Sequence, residues 1–200
     1  MAGSAPTVAS PAAAPALRAD AARNRESIVC AAAKAYASRG TDVSLEDVAH
    51  LAGVGVGTVY RRFPTKQALL ETLFEGKMSE FAEHAEQMAA LACSEPWRAF
   101  SEHVMFLVGQ QARDLAFSDL LRDPEATSPA FQEHHRRSIA ASQALVRAAQ
   151  QAGVLRDGFS HADLLLVTDA NHGIVQNAGR EAAEASERFG RYMLQAFGNR

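Results

Sequence analysis

Apolar residues recur at intervals of three, four and seven along nearly the whole chain, and long alternating runs of β-branched residues are missing. That is the period of helices burying one face, so a sheet-based fold is excluded and an all-α fold of about nine helices is expected. Ile28, Ala32, Ala35 and Tyr36 mark one face of a first helix, stopped by Gly40. Ser44 opens a short second helix with capping-box spacing, Asp47 standing where Glu is usual. Its apolar face is Leu45, Val48, Ala49 and Ala52, and Gly53 ends it. A third short helix carries Thr58 to Arg62 and is halted by Pro64. Thr65 starts a longer one, whose stripe from Leu70 through Phe74, Met78 and Phe81 to Met88 reaches about Leu91, roughly 40 Å at 1.5 Å per residue. Pro96 opens a fifth, and Phe117, Leu120 and Leu121 mark a short sixth before an Asp123–Pro129 loop. Ser128-Pro129 opens a seventh reaching about Ala152, and Ser160-His161-Ala162-Asp163 is a second capping box for an eighth, ending at Ala178. Phe189, Tyr192, Met193, Ala196 and Phe197 mark the last.

A chain of 200 residues suits one compact domain, or two small ones sharing a helix. Its 48% hydrophobic and 22% charged residues exclude a disordered chain. The formal charge of −3 excludes a protein that coats nucleic acid by bulk charge, while leaving room for a local DNA-binding face. That charge is uneven: residues 17–80 carry nine Lys/Arg against eight Asp/Glu, and residues 81–200 eleven against fifteen. Cys30 and Cys93 are too few for a disulfide scaffold and read as free thiols of a reducing compartment, Cys30 packed inside its helical unit. No apolar run has the length of a membrane span, and Pro6, Pro11 and Pro15 interrupt an N-terminus that lacks a basic region. Residues 1–17 are expected to be a flexible Ala/Pro-rich tail, and the protein cytoplasmic.

The chemistry concentrates in residues 44–63, two short helices joined by Ala52-Gly53-Val54. A helix-turn-helix needs a small turn residue and a second helix with a polar outward face. Here Thr58, Tyr60, Arg61 and Arg62 are placed to face out, and Val54, Val59 and Phe63 to face in. Gly55 and Gly57 remove bulk near the start of the second helix, which permits close approach to a phosphate or base edge and costs about 1 kcal/mol of helix stability each. A purely structural helix-turn-helix is the competing explanation. A dinucleotide loop is excluded, since no strand precedes Gly53-Val54-Gly55-Val56-Gly57 and the third glycine of the G-x-G-x-x-G spacing is missing.

The stretch SLEDVAHLAGVGVGTVYRRFPTKQALL closely resembles the signature of the TetR family of bacterial transcriptional regulators. Val48-Ala49, Ala52-Gly53-Val54, Gly57-Thr58-Val59-Tyr60, Phe63, Lys66 and Leu69-Leu70 carry the resemblance; from Glu71 onward only the architecture is shared. It implies an N-terminal three-helix DNA-binding domain at residues 18–68. A long fourth helix would join it to a helical effector-binding and dimerisation domain at 69–200. It also implies that Tyr60 and Lys66 hold the DNA backbone, Lys66 from a helix first turn whose free N–H groups also suit a phosphate. Ser44 is a further backbone candidate, although capping explains it equally well. Thr58, Arg61 and Arg62 are candidates for major-groove readout and Val56 for a thymine methyl. Two adjacent guanidiniums suggest G-containing half-sites, unless one of them only clamps phosphate.

The resemblance further implies a homodimer through the last two long helices on a pseudo-palindromic DNA operator, and the stripe Phe189, Tyr192, Met193, Ala196 and Phe197 is rich enough for an interface. Packing within the same chain is the alternative. The eighth helix carries more polar groups than a helix packed on several sides should: Thr168, Asp169, Asn171, His172, Gln176 and Asn177. Two readings compete. Either Thr168, Asn171 and His172 line a small-molecule effector pocket, with Trp97, Phe100, His103, Phe106, Phe117, Phe131 and His135 as walls, or the polar groups bond across a dimer and the aromatics are core. His134-His135 with His103 or His172 lacks a Cys or carboxylate cluster of ligand spacing, so no metal or other cofactor is expected. No nucleophile–base–acid spacing points to an enzyme. The expected function is a sequence-specific DNA-binding repressor released by an effector. The alternative is a helical interaction protein that has kept the shape and lost DNA affinity.

Overall fold

The computed structural model describes residues 13–122 and 127–199, with side chains from residue 22 onward. Among the described residues there are nine α-helices: α1 Ala13–Arg39, α2 Leu45–Ala52, α3 Val56–Arg62, α4 Lys66–Leu91, α5 Pro96–Arg113, α6 Leu115–Arg122, α7 Pro129–Gln151, α8 His161–Ala178 and α9 Ala182–Phe197. One-turn 3-10 segments follow α1 at Gly40–Asp42 and precede α9 at Gly179–Glu181. The tail expected over residues 1–17 lies outside the described residues as far as residue 12, and α1 takes in residues 13–17. Of the Asp123–Pro129 loop, residues 123–126 lie outside the described residues. No helix among the described residues is long and apolar enough to cross a membrane.

The helix ends are set by local chemistry. Ser44 accepts from the Asp47 amide at 3.0 Å while Asp47 accepts from the Ser44 amide at 3.1 Å, closing the first capping box. That bonding holds the Asp47 carboxyl below its ordinary range. Thr65 and Ser128 cap α4 and α7 through their hydroxyls, and Ser160 with Asp163 closes the second box. Gly53 ends α2 with φ of 66°, a left-handed turn that favours glycine.

A small head and a larger body share one core. In the head, Ile28 and Tyr36 of α1 pack with Val48 of α2, Val59 of α3 and Leu69 of α4. In the body, Phe74 and Phe81 of α4 meet Phe117 of α6 with ring centroids 5.9 and 5.6 Å apart, and Phe131 of α7 stands 6.2 Å from Phe117. α4 runs from one region into the other and lies along α7, where Arg137 grips Glu86 through both carboxylate oxygens at 2.9 Å. The inner face of α9 lies close on α5: a Cβ on Gly190 would stand 2.9 Å from Met105 Sδ and 3.1 Å from Val108 Cγ2. The chain end is held by an isolated bridge between Leu155 and Gly198.

Cys30 is exposed on α1 rather than packed, because the buried stripe of that helix runs through Ile28, Ala32 and Ala35, and residue 30 falls on the opposite face.

Candidate nucleic-acid interface and ligand cavity

The head positions α3 as a short rod with one wet face. Val59 is fully buried, and Phe63 closes the core behind it beneath Arg25, whose guanidinium carbon lies 5.9 Å from the ring centroid. Val56, Gly57, Tyr60, Arg61 and Arg62 are exposed and Thr58 half-buried. Gly55 supplies the N-cap position with ordinary backbone angles. At Gly57 an added Cβ would meet nothing within 4 Å, so no packing within the chain asks for glycine there. Arg61 Nη2 donates to Thr58 Oγ1 at 3.2 Å, which aligns two of the candidate readout side chains.

The backbone candidates have partners of their own. The Tyr60 hydroxyl donates to Glu46 Oε1 at 2.7 Å, tying α3 to α2; the bond holds the Glu46 carboxyl below its ordinary range and pushes the phenol up. Lys66 Nζ donates to the carbonyl of Thr41, in the 3-10 segment after α1. Ser44 spends its hydroxyl on the capping box.

A cavity of about 370 Å³ opens in the body between α4, α5, α6, α7 and α8. Of the expected pocket residues it brings together His103, Phe117, His135 and Thr168. The others stand elsewhere. Trp97 lines a separate shallow groove with Gly153 and Leu194, beside the chain end. Phe100 packs in a ring cluster with Phe159 at 5.4 Å and Phe197 at 6.4 Å, and Phe131 is buried behind Phe117. Phe106 stacks on His84, centroids 3.6 Å apart. Asn171 donates to the Val108 carbonyl at 3.2 Å and to Gln111 Oε1 at 2.9 Å, fastening α8 to α5. His172 Nδ1 pairs with Ser118 Oγ at 3.0 Å, and its Nε2 lies 3.7 Å from Asp119 Oδ1. Much of the unusual polarity of α8 therefore joins helices within one chain, a solution open to any buried polar group with partners.

The lining that sequence reasoning missed includes Phe81 of α4, Ser118, Leu121 and Arg122 of α6, and Ser138 and Ser142 of α7. The serines fall at an i, i+4 spacing on α7 and both are buried, a pattern visible in sequence only once that face is known to point inward. His103 is held by Ser142, Nε2 to Oγ 3.2 Å, and burial pushes its imidazole down to about 3. His135 and His161 are lowered by burial as well. Arg122 and Asp169 pair at 2.5 Å between α6 and α8, both about half exposed. Among the described residues no cluster of three or more His, Cys, Asp or Glu is arranged to hold a metal ion.

The stripe on α9 divides. Phe197 is buried against Phe159, centroids 4.8 Å apart, so it belongs to the core of its own chain, because the last turn of α9 leans on the loop before α8. Phe189 and Met193 are half-buried, while Tyr192 and Ala196 are exposed. On the neighbouring α8, Leu165 and Leu166 are 45% and 66% exposed.

α6 joins the cavity to the head. Its Phe117, Ser118, Leu121 and Arg122 line the cavity, and Asp119 between them accepts from the Thr41 amide at 3.1 Å and from the Thr41 hydroxyl at 3.4 Å. Gly40, with φ of 68°, lets that carboxylate in: a Cβ there would stand 2.7 Å from Asp119 Oδ2.

Residues 28–73 match the family model described as bacterial regulatory proteins, tetR family. A TetR transcription regulatory protein from Mycobacterium vanbaalenii is similar over 92% of this chain and 99% of its own, at 30% identity and a TM-score of 0.52. A TetR transcriptional regulator from Streptomyces coelicolor is similar over 87% of this chain and 98% of its own, at 26% identity and a TM-score of 0.54. SmeT, the repressor of a multidrug efflux pump of Stenotrophomonas maltophilia, shares the fold over 88% of this chain and 90% of its own, with 20% identity and a TM-score of 0.56. No curated protein matches the chain.

Proposed function

The chain belongs to the TetR family of bacterial regulatory proteins, and on that footing we propose that it is a dimeric repressor that leaves its DNA operator when a small molecule occupies the body cavity. Residues 18–68 are read as the DNA-binding head and 69–200 as the effector-binding and dimerisation body. Thr58, Arg61 and Arg62, with Val56, are assigned to the major groove. Tyr60, Lys66 and the start of α4 are assigned to phosphate, with Ser44 beside them. The bare surface at Gly55 and Gly57 supports close approach of the duplex, since nothing inside the chain explains Gly57. Occupancy of an operator by such a dimer blocks transcription without any further surface, which favours repression over activation.

The outer faces of α8 and α9, where Leu166, Tyr192 and Ala196 are exposed and Phe189 and Met193 half-buried, support an isologous interface in which each copy contributes the same two helices. Two recognition helices would then address half-sites about one DNA turn, roughly 34–36 Å, or somewhat more apart.

The observation that carries effector release is the grip of Asp119 on Thr41. α6 forms part of the cavity wall and holds the same residue whose carbonyl accepts from Lys66. α4 provides a second route, with Lys66 at its start and Phe81 in the cavity wall, about 22 Å apart along the axis at 1.5 Å per residue. A ligand that prefers one arrangement of α6 against α4 shifts the head toward the matching placement of Lys66, by as much as its differential affinity allows.

Selection of bound sequences from random DNA at several salt concentrations tests the DNA side. The expected result is enrichment of a pseudo-palindrome. An intact dimer that enriches no sequence would instead mark an interaction protein that has lost DNA affinity.

A further inference from the structure

The cavity has an unusual charge balance. Its lining includes five titratable side chains, His103, Arg122, His135, His161 and Asp169, and the one cation and one anion among them, Arg122 and Asp169, are paired. Burial disfavours the charged form of all three imidazoles, and Arg122 and Asp169 are paired with each other at 2.5 Å. Behind Phe117, Lys77 lies 4.8 Å from the ring centroid and is bound to Asp114 at 2.7 Å. A charged ligand group entering here loses hydration and meets, as its charged neighbours, only the Arg122–Asp169 pair, whose net charge is zero.

The polar groups are nonetheless specific. His103 is 1% exposed, and its Nδ1 has no hydrogen-bond partner, while Nε2 faces Ser142. A buried ring nitrogen left in this state lowers stability until something meets it. A neutral imidazole has one donor and one acceptor nitrogen, their order depending on the tautomer. A hydroxyl both donates and accepts, so it can join the His103–Ser142 pair in either tautomer, whereas a carbonyl serves only one. Next to these groups, Phe81 and Phe117 stand edge to face at 66° in the wall, an arrangement that favours a flat ring. The volume of about 370 Å³ lies near the lower end of the roughly 300–1,000 Å³ of small-molecule sites.

We propose that the cavity takes an uncharged aromatic molecule bearing a hydroxyl group, its ring against Phe81 and Phe117 and its hydroxyl at the His103–Ser142 pair. The proposal rests on the reading of this cavity as the effector site and specifies what enters it. It excludes organic anions and cations of the same shape.

Calorimetric titration of the full chain at neutral pH with 2-naphthol, naphthalene, 2-naphthoate and 2-naphthylmethylammonium tests it. The expected order is 2-naphthol at least tenfold tighter than naphthalene and than either charged probe. His103→Phe is expected to bring 2-naphthol to the level of naphthalene. Should that variant misfold, Ser142→Ala, which removes one of the two polar partners of the ligand hydroxyl, is expected to weaken 2-naphthol severalfold and leave naphthalene unchanged. Equal or tighter binding of either charged probe overturns the proposal while leaving the cavity a ligand site. So does a 2-naphthol affinity no better than that of naphthalene. Binding of none of the four overturns both the proposal and the effector-site reading. A 2-naphthol that binds with the stated preference, yet leaves affinity for the selected DNA unchanged, supports the ligand chemistry and removes the effector reading instead.

Discussion

Gly57 sits on the open face of a seven-residue helix, with room for a side chain and ordinary backbone angles. Exchange for alanine there should stabilise the free protein, by up to about 1 kcal/mol, because a helix interior favours alanine. The same methyl would stand between α3 and DNA, so Gly57→Ala is expected to raise the melting temperature and lower operator affinity together. A rise in both would mean that the duplex never approaches this point. The neighbouring cations separate by the character of their loss. Lys66→Ala should weaken all sequences alike and reduce the slope of affinity against salt by about 1, whereas Arg61→Ala should relax preference at one base position by about 1–3 kcal/mol. Repeating the sequence selection with each variant checks both. Arg61 was a candidate from its place on the polar face of a helix-turn-helix, and Tyr60 and Lys66 from the family resemblance. Their partners in the free protein, Glu46 for Tyr60 and the Thr41 carbonyl for Lys66, were not legible, because they lie on other helices whose placement only the fold decides.

Helix boundaries were legible wherever a cap was local. Ser44 with Asp47, Thr65, Ser128-Pro129 and Ser160 with Asp163 all act within one turn, and each starts the helix expected of it. The start of α9 was not, since it carries no such side-chain cap. α9 begins seven residues before the first member of its apolar stripe, Phe189. Pairings between helices yield two further expectations. Asp119→Ala removes the bond from α6 to Thr41 while leaving the cavity lining in place. It is expected to keep ligand affinity and to reduce the effect of ligand on DNA affinity, measured as the ratio of operator dissociation constants with and without ligand. His103 joins α5 to α7 and is pushed down to about 3 by burial first, with His84 and His161 adding to the shift. Below its free value of about 6.5 the unfolded chain binds a proton that the native chain refuses. Stability is therefore full above that pH and falls between about 6.5 and 3, by up to about 1.4 kcal/mol per pH unit from this group. Denaturant titrations of native protein and His103→Gln across that range should show a shallower fall in the variant.

For the molecule as a whole, the proposed division into a DNA-binding head and an effector-binding body rests on one recognisable stretch and one long helix. The inside of the body was harder to foresee. Phe100, Phe117 and Phe131 all fall on apolar stripes, and only the way three helices face one another makes Phe117 a cavity wall and Phe100 part of a solid cluster. The same holds for α9, where Tyr192 and Phe197 belong to one stripe and end on different sides. Assembly is the property most exposed to test at this scale. Leu166 is 66% exposed on the outer face of α8, so Leu166→Glu should leave a folded monomer. Sedimentation should show the loss of the dimer, and operator affinity should fall about a hundredfold or more once the two heads no longer act together.

The two thiols open a direct view of that coupling. Cys30 lies exposed on α1 in the head, and Cys93 lies exposed just beyond the far end of α4 in the body, and the chain contains no other cysteine. The natural sequence thus already carries one attachment point for a spin or fluorescent label on each side of the joint. A distance distribution between the two labels, recorded before and after a ligand fills the cavity, would show whether the head moves against the body, without a single engineered residue.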